Sequence, residues 1–431
     1  MKNSSLSKFT LPNGLRVITQ HLPSVDSITI YLTVGAGPRF ETEETAGLAH
    51  FLEHMLFEGT DRFPSSKELS TYIESVGGRS GAFTEKEFVL FYVKIPKKNV
   101  NIGIHYLSEI LFRSKLEDNA INKEKNIVLE ELKRKLDNPE VEIWDQWFEW
   151  LWGKNQSLGK STLGDKKSIK NITREKLEAY LTTYYVPSNM VLSIVGNISA
   201  EEIKKTVDKY FKNINDKEVS KALKLRFSPK SFPLKIIPKS LEQNQMIVGF
   251  VTGISLLHQD RFPIQILADV LSHGINSRLF HRLVYDLGAV YSTYAGNYFF
   301  SDTGLFYIYC GVSSKNIKKV TKEIFQQINI IKTTKITDKE LSQTKIKTKA
   351  DLVFSFESPD NLAHFYATQE LLEKKTRSIN DVLHKIDAVT PEDVQRVAKK
   401  YFTLNNLSFI ISGSFKQSDK TLEIFIKNSS S

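Results

Sequence analysis

Two imidazoles and a carboxylate fall within five residues of this sequence, His50-Phe51-Leu52-Glu53-His54. On a helix, positions i, i+3 and i+4 share one face, so His50, Glu53 and His54 would point one way while Phe51 and Leu52 turn toward a core. Two imidazoles one turn apart can bind a single zinc from one side, with Glu53 placed beside the metal. Catalytic zinc takes three protein ligands and keeps one position for water, so a third ligand must come from elsewhere. The chain has one cysteine, Cys310, which excludes a Cys-based zinc site and an intrachain disulfide alike. Any metal must then sit on His, Asp or Glu. The stretch from Glu124 to Lys133 reads as a helix with an apolar stripe of Ile127, Val128, Leu132 and Leu136. Glu124 and Glu131, seven apart, share a face next to that stripe, and Glu130 is an adjacent competitor for the role of ligand.

The elements that must position these residues occur twice. A shift of 217 residues aligns Thr173–Gly196 with Thr390–Gly413 without a gap, each copy reading as a Thr-capped helix ending in Tyr, a turn and a short apolar strand closing on Gly. Earlier in the first copy, Phe9 to Val17 reads as a hairpin around Pro12-Asn13-Gly14. Strands are expected at Ile28–Val34 and Phe88–Ile95, and in the second copy at Gln245–Val251 and Leu305–Val312. Helical patterns follow at Ala46–Phe57 and Pro263–Leu271. The fold class is therefore α+β: two similar domains, each a mainly antiparallel sheet covered by helices. Their expected extents are 1–214 for a metal-binding domain, 215–242 for a Lys- and Pro-containing linker (Pro229, Pro233, Pro238), and 243–431 for a second domain without a metal site.

Composition sets outer bounds. A length of 431 residues suits two or three domains, and 27 Phe, 16 Tyr and 4 Trp supply enough apolar area for packed cores rather than disorder. The net charge of +10 comes from 59 basic against 49 acidic residues spread along the chain. With no basic stripe carrying interleaved aromatics, it describes a solvated surface and no nucleic-acid partner. No stretch is long and apolar enough for a membrane span, and no secretory or Arg-rich leader is read. The expected location is cytoplasmic, or the mitochondrial matrix or another compartment if a leader has been removed.

Gly47-Leu48-Ala49-His50-Phe51-Leu52-Glu53-His54-Met55-Leu56-Phe57-Glu58-Gly59-Thr60 resembles the inverted zinc motif of the inverzincins, the pitrilysin and mitochondrial-processing-peptidase family. The resemblance extends over nearly the whole chain, repeated halves included. It implies that His50, His54 and Glu131 ligate zinc, one ion per chain, that Glu53 is the base activating water, and that Glu124 supports the site without ligating. Gly77 to Thr84 resembles the family's substrate-binding edge strand, with Ala82, Phe83 and Thr84 along it, though Gly81 stands where the family usually has Asn. In the second copy, Tyr291 resembles the Tyr that reaches the substrate carbonyl. The family's Arg seven residues before it is Val284 here, leaving Arg278 or Arg282 to substitute.

The resemblance implies a zinc-dependent endopeptidase acting on peptides or unfolded segments, with the two domains forming half of a clam-shell chamber. A second chain would close it, as a homodimer or as a heterodimer with a homologous subunit. The rival expectation is a non-catalytic or weakly active subunit that binds peptides and partners an active homologue; Val284 is the feature on its side.

Overall fold

The computed structural model describes residues 5–415 except 155, 220, 221, 223, 224, 226 and 228–233. Pro229 and Pro233 of the expected linker lie outside the described residues. The chain divides into two compact units that do not follow its sequence halves. The first takes in Met1–Arg134, Lys154–Lys224 and Phe354–Arg377, and the second Lys135–Gly153, Leu225–Val353 and Ser378–Ser431.

In the first unit, strands β1 (Leu6–Thr10), β2 (Arg16–His21), β3 (Ser27–Val34), β4 (Arg79–Thr84), β5 (Val89–Pro96) and β6 (Met190–Gly196) form one sheet in the order β1-β2-β6-β3-β5-β4. Only β2 and β6 run parallel. The expected hairpin joins β1 to β2; Gly14 adopts φ +88°, and Leu11 and Leu15 close the turn with a backbone hydrogen bond of 2.9 Å. Strand alternation then decides the faces. Ile28, Ile30, Leu32 and Val34 of β3 are fully buried in the core. There they meet helices α1 (Leu48–Met55) and α3 (Val100–Phe112), with α2 (Ser66–Glu74) beside them and α4 (Asp118–Asp137) supplying Ile121 and Val128. The opposite face is covered by the helix Pro359–Glu373. Thr29 donates to Asp360 at 2.7 Å, and the Tyr31 and His364 rings meet edge-to-face. At its other end Glu370, 1% exposed, takes ion pairs from Lys8 and Arg16.

In the second unit, β7 (Leu234–Pro238), β8 (Asn244–Val251), β9 (Val290–Phe299), β10 (Gly304–Val312) and β11 (Leu407–Gly413) order as β7-β11-β8-β10-β9, with β7 and β11 the one parallel pair. The core joins Met246, Val248 and Phe250 to Phe306, Ile308, Phe409 and Ile411 under the helices Arg261–Ser272 and Ile317–Thr333. The other face is covered by α5 (Pro139–Trp152), whose Trp147 lies on Gly249 and donates its indole N–H to Ser408 at 2.9 Å. A side chain at 249 would occupy the space of that ring. The expected linker therefore needs one correction: its apolar Leu234, Ile236 and Ile237 make it extend the sheet as β7 rather than remain free of secondary structure.

The offset of 217 holds beyond the segment that revealed it. Outside that segment it brings β3 onto β8, β2 onto β7, and the last residue of α1 onto that of Arg261–Ser272. Two mainly antiparallel sheets under helices are thus observed, as the sequence pattern predicts. Among the described residues no helix is long and apolar enough to cross a membrane.

Candidate metal centre

α1 is short and almost wholly buried. Leu48, Phe51, Leu52 and Met55, each 0–1% exposed, fix one side against the sheet, so His50, Glu53 and His54 emerge together on the other. The two imidazoles sit with ring centroids 4.6 Å apart. α4 crosses them with Glu131, whose two carboxylate oxygens lie 3.7 Å from His50 Nε2 and 3.7 Å from His54 Nε2. One donor atom from each of the three falls within 4.8 Å of the others. Ligand atoms about 2.1 Å from a tetrahedral ion stand about 3.4 Å apart, so this spacing fits a zinc-sized cation.

Glu124, one face and seven residues before Glu131, is buried at 6% exposure and places Oε1 3.8 Å from His54 Nδ1, behind the imidazole rather than among the donors. Glu130 is exposed on another side of α4. The apolar stripe of α4 departs from expectation. Val128 is buried and Leu132 packs on the core, whereas Ile127 and Leu136 are exposed at 39% and 46%. Adjacent helical residues are about 100° apart, so Ile127 cannot share the inward face of Val128; Ile121 takes that place one and a half to two turns earlier.

Glu53 is 8% exposed, and its Oε2 accepts a 2.6 Å hydrogen bond from the hydroxyl of Thr84. Burial raises the Glu53 carboxyl above its ordinary range, against the opposing pull of Thr84 and of a charged His54; Glu131 adds to the rise. For His54, burial alone would disfavour the imidazolium, but Glu124, Glu53 and Glu131 outweigh it and raise its pKa. Among the described residues no Lys or Arg pairs with Glu53, Glu124 or Glu131. The corner is rich in negative charge and donor atoms, an environment that favours a cation.

Thr84 ends β4, the edge strand of the sheet, where it pairs with Val89. Alternation sends Ala82 and Thr84 to one face and Phe83 to the other, where its ring meets Phe88 and His364. Gly81 departs from the family's Asn for a visible reason: a Cβ there would lie 2.6 Å from the Tyr92 hydroxyl, so Tyr92 already fills that space. Sequence reasoning placed Thr84 beside substrate but missed its bond to Glu53, since nothing local signals a contact across 31 residues. It also missed Tyr185, a fully buried tyrosine whose pKa is driven far up by burial and then by the Glu53 charge.

The remaining candidates belong to the second unit. Tyr291, at the start of β9, is 84% exposed. Arg278 is held by a two-pronged ion pair with Glu340 at 2.6 and 2.7 Å. Arg282 pairs with Asp286 at 3.0 Å and Glu323 at 3.4 Å. Val284 packs against the unit's core, where a guanidinium would lose its hydration.

Residues 16–166 match the sequence profile described as insulinase (peptidase family M16), and residues 171–348 the one described as the peptidase M16 inactive domain. An uncharacterized zinc protease of Bacillus subtilis, YmxG, is 32% identical over 410 residues, covering 95% of this chain and 98% of its own. A probable mitochondrial-processing peptidase subunit beta of Arabidopsis thaliana is 30% identical over 404 residues, covering 91% and 75%. The fold is similar to a Helicobacter pylori protease (TM-score 0.87, 22% identity, 95% of this chain and 99% of that one). It is equally similar to a peptidase M16 inactive domain from Pseudomonas fluorescens (TM-score 0.87, 16% identity, 96% and 99%). With paired histidines facing a glutamate on a neighbouring helix, and with relatives named zinc proteases along nearly its full length, the chain belongs to the pitrilysin family of M16 peptidases.

Proposed function

We propose that this chain is a zinc-dependent endopeptidase with one ion per chain held by His50, His54 and Glu131. The observation that carries this reading is the convergence of those three donors beside a buried Glu53 fixed by Thr84. Bound zinc supplies Lewis acidity toward the scissile carbonyl and acidifies water. The protein's part is proton handling and orientation. Thr84 occupies Glu53 Oε2, which leaves the other oxygen to accept the proton of the attacking water. Burial raises the basicity of that carboxylate, and Glu53 then delivers the proton to the leaving amine nitrogen as the C–N bond breaks. Glu124 orients the His54 ring from behind. An extended peptide would pair with the free edge of β4 through main-chain hydrogen bonds, which restricts substrates to peptides and unfolded segments.

A dimeric chamber, formed with a second copy or a homologous subunit, is part of the same proposal and follows from the family resemblance. So does the role of Tyr291 at the substrate carbonyl. A second reading, a weakly active subunit that depends on such a partner, is favoured by Val284 and by the ion pairs that engage Arg278 and Arg282. One experiment separates the two: cleavage of a quenched peptide by the purified chain, with and without a chelator and with zinc restored. Zinc-dependent cleavage by the chain alone supports the first reading; a metal-loaded chain that stays silent until a homologue is added supports the second.

A further inference from the structure

α1 begins at a glycine, Gly47, whose φ of +84° and lack of a side chain leave the helix without a cap of its own. The cap comes from six residues upstream. Glu41 accepts hydrogen bonds from the backbone N–H of Gly47 at 2.8 Å on Oε2 and of Ala49 at 2.8 Å on Oε1. These are free donors of a helix's first turn, and the second immediately precedes His50. Glu41 is 4% exposed, and the entry to the turn is locked on both sides. A Cβ at Gly47 would lie 2.6 Å from the Leu163 carbonyl, and one at Gly164 2.6 Å from that of Ala46. Lys160 donates its ammonium to the Glu41 main-chain carbonyl, so the segment bearing the carboxylate is itself tied down.

The second unit lacks this cap. At the offset of 217, Glu41 becomes His258, which accepts from the backbone N–H of Asp260 at 3.0 Å and leaves the start of Arg261–Ser272 without a side-chain cap. The residues in place of His50, Glu53 and His54 there are Leu267, Val270 and Leu271, all buried in the core. The matching helix, 12 residues against 8, thus starts with no carboxylate bonded to its first-turn N–H groups; its buried N-cap Asp260 turns instead to Arg396, Lys400 and Tyr401.

We propose that Glu41 is a positioning residue for the metal centre: its carboxylate pins the first turn of α1 and sets against the positive end of that helix a negative charge, which favours a dication on the His50 and His54 face. Burial raises the Glu41 carboxyl to about 7, against the pull of the two N–H bonds and of Lys160 and Lys86. Ionised Glu41 is therefore held at a cost to the fold, which points to function rather than to stability.

The proposal rests on the zinc reading above, and the test keeps the two apart. Zinc affinity is measured by competition with a chelator for the unaltered chain, Glu41→Gln, Glu41→Ala and a core control, Val207→Ala, alongside the melting temperature of each metal-free protein. Glu41→Gln should bind zinc about tenfold more weakly and Glu41→Ala more weakly still, while Val207→Ala melts earlier with unchanged affinity. Affinity of Glu41→Gln within twofold of the unaltered chain, or an equal loss in Val207→Ala, overturns the proposal and leaves the zinc reading standing. An unaltered chain that takes up no zinc overturns both. Should the Glu41 variants fail to fold, hydrogen exchange on the unaltered metal-free chain decides: the Gly47 and Ala49 amides should be protected before metal is added, and rapid exchange at both overturns the proposal.

Discussion

The two units run the same topology to opposite ends. In the first, α1 presents His50, Glu53 and His54 to Glu131; in the second, the matching positions are Leu267, Val270, Leu271 and Thr348, and the helix is sealed into an apolar core. The sheets keep the same single parallel pair and the same β3-like central strand, so the framework does not require the site. What differs is the stability cost each helix bears. Leu267 and Leu271 gain from burial, about 2 kcal/mol each, whereas the matching positions of α1 are His50 and His54, with the buried Glu53 between them. The second unit buries carboxylates too, but Asp260 is held by Arg396 and Lys400 and Asp269 by Thr348, whereas among the described residues no Lys or Arg pairs with Glu53, Glu124 or Glu131.

This contrast can be broken most sharply at Glu53. Glu53→Gln should lower peptide turnover by roughly 10³-fold or more while zinc content, measured by elemental analysis, is retained. Its counterpart Val270→Ala should cost roughly 1–3 kcal/mol of stability and leave turnover per folded molecule intact. Residual activity of Glu53→Gln within about tenfold of the unaltered chain assigns the base elsewhere.

The next largest effect is on the metal. Glu131→Gln should weaken zinc binding by roughly 10²-fold, Glu130→Gln should leave it unchanged, and Thr348→Val in the second unit should do the same. Chelator competition on the three variants checks this, and loss of zinc in Glu130→Gln alone would reverse the ligand assignment. A smaller effect is expected at Thr84, where Thr84→Val removes one hydrogen bond to the base. Turnover should fall about tenfold with zinc affinity unaltered, and an unchanged kcat makes Thr84 an ordinary strand residue.

A further effect, on stability rather than on turnover or metal binding, is a pH slope in the metal-free protein. Glu41 titrates near 4.5 when unperturbed and about 7 in the fold, where it faces Lys160 and Lys86, with Tyr180 and Tyr184 nearby. The folded chain thus keeps a proton that the unfolded chain has released. Glu41's contribution is most favourable below about pH 4.5 and is lost as pH rises through about 7. The loss is on the order of 3 kcal/mol. Urea midpoints of the metal-free protein should show this decline, and Glu41→Gln should flatten it; parallel slopes for the two proteins exclude Glu41 as its source.

Much of the site was legible because it is local or carried by helical spacing. His50, Glu53 and His54 share a face through helix geometry alone, and Glu124 and Glu131 do so through their seven-residue interval. The repeat was equally legible, since a gap-free offset needs no structure to be seen. Where local pattern was ambiguous it misled: the α4 stripe included Ile127, which helix rotation turns outward, and the linker concealed β7, whose pairing with β11 lies some 170 residues away. Nor does sequence order show that Pro359–Glu373 covers the first unit's sheet or that α5 covers the second's.

The sequence by itself determined which groups could bind a metal, on which faces of which helices they stand, and that only one of two similar halves carries them, because these properties depend on residue type and a periodicity of a few residues. Tertiary structure alone decided that Thr84 holds Glu53, that Glu41 caps α1, and how near Glu131, already favoured by its seven-residue interval from Glu124, comes to both histidines. Each of those is a contact of a few ångströms between segments far apart or turning independently, and such contacts are set by the packing of the whole core.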